Sequence, residues 1–91
     1  MKVRLYGPDT VEKAYSAAED FIQAYKDDLH INILLNAGRK VRRAVENMEQ
    51  FLMTTTREEL SRKDRKKYLE LAFDMSDLVR EMLKNKAKER A

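Results

Sequence analysis

At 91 residues and 10.8 kDa the chain has room for one domain with a thin core, because a chain of this length buries only roughly two-thirds of its unfolded surface. Its 43% hydrophobic and 38% charged residues exclude a disordered tail, and the lack of cysteine excludes a disulfide scaffold or a thiolate metal site. The net charge of +3 hides an asymmetry that suits an acidic partner: residues 1–38 hold four Lys or Arg against six Asp or Glu, and residues 39–91 hold fifteen against ten, so the halves stand at −2 and +5.

Residues 1–6 alternate, with Val3 and Leu5 on one side and Lys2, Arg4 and Tyr6 on the other, until Gly7-Pro8 stops them. Residues 1–8 therefore read as a short strand or extended arm. A lone strand must satisfy its backbone on the helices or on a second copy of the chain, which is the first pointer to a homodimer.

Asp9 with Glu12 has the spacing of a helix-capping pair, and Val11, Ala14, Tyr15, Ala18, Phe21, Ile22, Tyr25 and Leu29 follow as one apolar stripe. This predicts helix 1 through about residue 28. Asp27-Asp28-Leu29-His30 interrupts the phase and predicts a tight hairpin or sharp bend. Leu34, Ala37, Val41, Ala44, Val45, Met48, Phe51 and Leu52 then predict helix 2 over residues 31–53. Gly38 inside it weakens the helix unless a neighbour approaches closely there, so a crossing point is expected at Ala37-Gly38.

Thr54-Thr55-Thr56 ends helix 2, and both Thr56 with Glu59 and Ser61 with Asp64 have capping-box spacing, which predicts a short turn before helix 3. Tyr68, Leu71, Ala72, Met75, Leu78, Val79, Met82 and Leu83 form the third stripe, and beyond Asn85 a basic tail, residues 86–91, is expected to fray. The fold class is all-α, a three-helix antiparallel bundle over residues 9–85 with the N-terminal arm before it. Met48, Met53, Met75 and Met82 are assigned to the core. Leu35 and Met53 flank the main stripe of helix 2 and leave a groove that a second copy or a protein partner can fill.

Residues 31–35 are the longest apolar cluster, interrupted by Asn32, so no membrane span is expected. No basic, apolar and small-residue succession opens the sequence, and the expected location is the cytoplasm.

Two cation clusters carry the functional reading. Arg39, Lys40, Arg42 and Arg43 lie within five residues, and Arg39 and Arg43, four apart, repel unless an anion lies between them. Arg42 is also spaced to meet Glu46, so a plain solvated face is the competing reading. Arg62, Lys63, Arg65, Lys66 and Lys67 crowd the start of helix 3, where the dipole disfavours cations, and Lys66 with Glu70 offers partial relief. Phosphate would neutralise both clusters. With antiparallel helices they fall roughly 20 Å or more apart, by the 1.5 Å rise per residue. A helix-turn-helix over residues 56–71 is disfavoured, since no glycine marks the turn and no apolar residue lies between Leu60 and Tyr68.

His30 beside Asp27 and Asp28 falls short of a metal-ligand set and is assigned to capping helix 1. Glu58, Glu59, Glu70 and Asp74 form no acid–base signature, and no phosphate loop or nucleophile elbow is present, so neither catalysis nor a cofactor is expected. The segment Val3-Arg4-Leu5-Tyr6-Gly7-Pro8-Asp9-Thr10-Val11, leading into Ala14, Ala17-Ala18 and Phe21, resembles one in small bacterial proteins where it joins helices of a cytosolic helical module, sometimes after membrane-anchoring helices. Leu78-Val79-Arg80-Glu81-Met82-Leu83 echoes it more weakly. That resemblance implies helices and no particular activity. The expectation is a small binding protein: nucleic acid through the cation clusters first, a protein partner through an apolar groove second.

Overall fold

The computed structural model describes residues 6–90, and three helices occupy nearly all of them: α1 over Asp9–Lys26, α2 over Ile31–Thr54 and α3 over Arg62–Arg90. No strand occurs among the described residues. Residues 1–5 of the expected arm lie outside them, and residues 6–8 make a bend that leads into α1.

The expected Asp9–Glu12 capping pair does not form. Pro8 occupies the cap position without a side-chain bond, and Asp9 is already helical. Its carboxylate is drawn forward to Lys13, 3.0 Å away and one turn on, while the Thr10 hydroxyl donates to the Gly7 carbonyl at 2.8 Å. At the other end Asp28 takes φ 55°, the left-handed conformation, and the Leu29 and Asp28 amides donate back to the Ala24 and Tyr25 carbonyls. This is a Schellman motif with aspartate where glycine usually sits.

His30 caps α2 rather than α1, since its Nδ1 accepts the Asn32 amide at 3.1 Å. The reversal has a simple cause. Asp28 has already closed α1, so the next polar side chain is free to meet the orphan amides of the following helix. The Thr54 hydroxyl bonds back to the Gln50 and Phe51 carbonyls, and Thr55 leaves the helix in an extended conformation. Both capping spacings are used in turn: Thr56 accepts the Glu59 amide within a short turn, and Ser61 accepts the Asp64 amide as α3 begins.

The chain runs up, down and up. Pro8 and Val11 at the start of α1 meet Phe51 near the end of α2 and Tyr68 near the start of α3, whereas Lys86 near the end of α3 reaches Asp28 just after α1. The core is Ala14, Ala18, Phe21 and Ala24 from α1, Leu34, Val41, Val45, Met48, Phe51 and Leu52 from α2, and Ala72, Met75 and Val79 from α3. Alanines on α1 allow it to lie close against α2. Gly38 is the crossing point of all three helices: a Cβ there would stand 3.1 Å from Val79 Cγ1, 3.3 Å from Leu83 Cδ1 and 3.6 Å from Phe21 Cε2.

Helix α3 packs mainly on α2 and touches α1 only slightly. Met53, assigned to the core, is 73% exposed, because it stands about 100° around the helix from buried Leu52. The helix does not end at residue 85 either. It continues to Arg90, and Lys86, expected in a frayed tail, is 8% exposed. No described helix is long and apolar enough to cross a membrane.

Candidate nucleic-acid interface

The cluster on α2 does not present one face. Successive residues turn by about 100° on an α-helix, so Lys40 and Arg42 point to opposite flanks. Lys40 and Arg43 open into a cavity against the start of α1, which Lys13 also lines. Arg42 lies on the other flank, in a groove shared with Arg80 of α3 and with Glu46 and Glu49. Arg39 is exposed, and its guanidinium meets the Asn36 side-chain oxygen at 3.5 Å.

The run at the start of α3 divides as well. Arg62, Lys63, Lys66 and Lys67 are exposed. Arg65 is half-buried, and its Nη2 donates to the Thr55 carbonyl at the end of α2. That bond makes Arg65 a clasp across the α2–α3 connection and occupies one of its five N–H donors. With Arg42 level with Arg80, residues 62–67 lie about 20–27 Å further along α3 by the helical rise. The α3 run is therefore a patch apart from both flanks of the α2 cluster.

Neither expected relief pair forms among the described residues: Arg42 does not meet Glu46, and Lys66 does not meet Glu70. The ion pairs that do form there join Asp9 to Lys13, Asp77 to Arg80, and Lys86 to both Asp28 and Glu89. Arg39, Lys40, Arg42, Arg43, Arg62, Lys63, Lys66 and Lys67 take no part in any of them. Among the described residues no carboxylate pairs with their charge.

Four residues near these patches escaped the sequence reading: Lys13, Asn47, Arg80 and Phe73. Lys13 and Asn47 join Lys40 and Arg43 only through the packing of α1 on α2. Arg80 joins Arg42 through the packing of α3. Phe73 lies off the apolar stripe of α3 and is 64% exposed, an aromatic face on a helix whose first turns are cationic. No group of three or more His, Cys, Asp or Glu side chains converges among the described residues, and His30 is engaged as a cap.

No family model, curated protein or solved structure matches the chain.

Proposed function

We propose that the protein is a small, non-enzymatic, cytoplasmic binding protein that associates with nucleic acid through the exposed cations of α2 and of the start of α3. One observation carries the reading: eight exposed lysines and arginines in two clusters hold no ion pair among the described residues, although Glu46 and Glu70 are spaced to provide one. A polyanion neutralises such clusters and gains the free energy of counterion release. The Arg42–Arg80 flank and the start of α3, some 20 Å apart along the helix, would reach phosphates about six base pairs apart along a duplex, taking its 3.4 Å rise per strand.

The homodimer belongs to the same proposal. Its support is the exposure of Tyr15 on α1 and Leu78 on α3, 43% and 41%, apolar surface that a second copy would bury. Such a dimer doubles the cationic surface offered to a polyanion.

Fluorescence anisotropy with labelled single- and double-stranded DNA and RNA, at low and moderate salt, tests the reading. Binding should weaken steeply with salt and fall in an Arg39→Glu/Arg43→Glu variant. Absence of binding to all four probes at low salt overturns it.

A second reading is favoured by the exposure of Met53 at 73% and Phe73 at 64%. Two large apolar side chains on the surface of α2 and α3 suit a protein partner. Affinity for a partner that survives salt and falls on Met53→Ser or Phe73→Ser belongs to this reading.

A further inference from the structure

Between the start of α1 and the middle of α2 lies a cavity of about 310 Å³ whose charged lining is three cations and one carboxylate. Lys40 and Arg43 enter it from α2, three residues apart and so on one face of the helix, and Lys13 enters it from α1. Three cations face one carboxylate, Asp9, whose Oδ2 is already held by Lys13 at 3.0 Å. Lys40 and Arg43 have no carboxylate partner among the described residues. Asn47, one turn beyond Arg43, adds an amide to the wall, and Tyr6 adds a phenol.

We infer that this cavity seats a single phosphate group, with the Arg43 guanidinium and the Lys40 ammonium as its principal ligands and Lys13 and Asn47 beside them. A guanidinium fork matches two oxygens of a tetrahedral anion, and an ammonium serves as a point charge on a third. A carboxylate ligand fits less well, since its two oxygens satisfy Arg43 and leave Lys40 unneutralised. The backbone at the start of α1 contributes little. Pro8 has no amide hydrogen, and the Thr10 and Val11 amides are taken by the Gly7 and Pro8 carbonyls at 3.1 and 3.2 Å. The seat is therefore built of side chains, and exchanging those side chains should empty it.

The inference rests on the nucleic-acid reading for the source of the phosphate but not for the seat itself, which takes a free phosphate, a phosphomonoester or a backbone diester alike. The test is a titration of the ¹⁵N-labelled protein followed by NMR, with inorganic phosphate, adenosine monophosphate and a short single-stranded oligonucleotide as probes and acetate at matched ionic strength as the control. Inorganic phosphate should give saturable shifts at Thr10, Lys13, Lys40, Arg43 and Asn47 that acetate does not. The apparent affinity should fall about tenfold or more in Lys40→Gln/Arg43→Gln, and should stay within twofold of the parent in Lys63→Gln/Lys66→Gln. Both side chains of the first pair are exposed, so this variant should fold, and the parent titration stands without it. Phosphate shifts at the cavity with no oligonucleotide binding support the seat and assign it to a small phosphate compound, overturning the nucleic-acid reading alone. Oligonucleotide binding without saturable phosphate shifts at the cavity overturns the seat alone, and loss of both overturns both.

Discussion

Lys86 and Asp28, 58 residues apart in the chain, form an ion pair that fastens the last turns of α3 to the α1–α2 junction. The lysine is 8% exposed, its ammonium lies 5.8 Å from the centre of the Tyr25 ring, and Glu89 stands 3.7 Å away on its outer side. A nearly buried ammonium persists only where charge or π-density meets it. Here an aspartate in the left-handed conformation meets it, so one residue ends α1 and anchors α3.

Two substitutions separate the roles of this pair. Asp28→Asn tolerates the left-handed conformation but removes the charge, and it should destabilise the protein by about 1 kcal/mol, discounted because the aspartate side chain is largely exposed. Lys86→Met replaces the buried cation by an apolar chain of similar reach and should be neutral or stabilising. Urea unfolding followed by circular dichroism reads both. A loss on Lys86→Met larger than that on Asp28→Asn would show that the ammonium does more than offset its own burial.

Gly38 tests the crossing of the helices. An added methyl gains helix propensity of about 1 kcal/mol but must push back Val79 Cγ1 from 3.1 Å and Leu83 Cδ1 from 3.3 Å. Gly38→Ala should therefore change stability little. Gly38→Leu should cost more than about 2 kcal/mol by overpacking and should loosen α3 first, because α3 supplies fewer buried residues than α2 and hardly touches α1. Hydrogen exchange would place the loss: protection should fall along α3 before it falls along α1.

The cap of α2 can be tested at one residue. His30→Ala removes the acceptor for the Asn32 amide and should cost about 1 kcal/mol, whereas His30→Asn supplies another side-chain oxygen and should cost little or nothing. Thermal unfolding compares the two. Equal losses would assign the role of His30 to something other than its bond to Asn32.

What the sequence made legible was whatever repeats locally. The stripe from Leu34 to Leu52 marked α2, and the Thr56–Glu59 and Ser61–Asp64 spacings marked a turn followed by a helix start, because both signals act within one or two turns of chain. The capture of Lys86 by Asp28 was not legible, since nothing near residue 86 announces a partner 58 residues earlier. The division of the α2 cations lies in between. The helical turn alone sets Lys40 and Arg42 on opposite flanks, but which flank meets Lys13 and which meets Arg80 depends on how α1 and α3 dock. The break at Asp27–His30 was legible but the left-handed turn of Asp28 was not, for a chemical reason: that position usually announces itself by glycine or asparagine, and here it falls on the second of two aspartates.

The salt dependence of nucleic-acid binding distinguishes binding cations from the structural one among neighbours in sequence. Removing one cation that neutralises a phosphate should reduce the slope of log K against log salt by about 0.9 for duplex DNA. Lys63→Gln/Lys66→Gln removes two exposed cations at the start of α3 and should lower the slope by about 1.8 on that rule while leaving the unfolding midpoint within error. Arg65→Gln, in the same run, breaks the bond to the Thr55 carbonyl and should do the opposite, lowering stability by about 1–3 kcal/mol and leaving the slope close to the parent's. Stability and slope are measured independently, so the two variants form a crossed design. If Arg65→Gln lowers the slope as much as a surface lysine does, its guanidinium meets a phosphate as well as supporting Thr55, and the α2–α3 connection is then part of the interface.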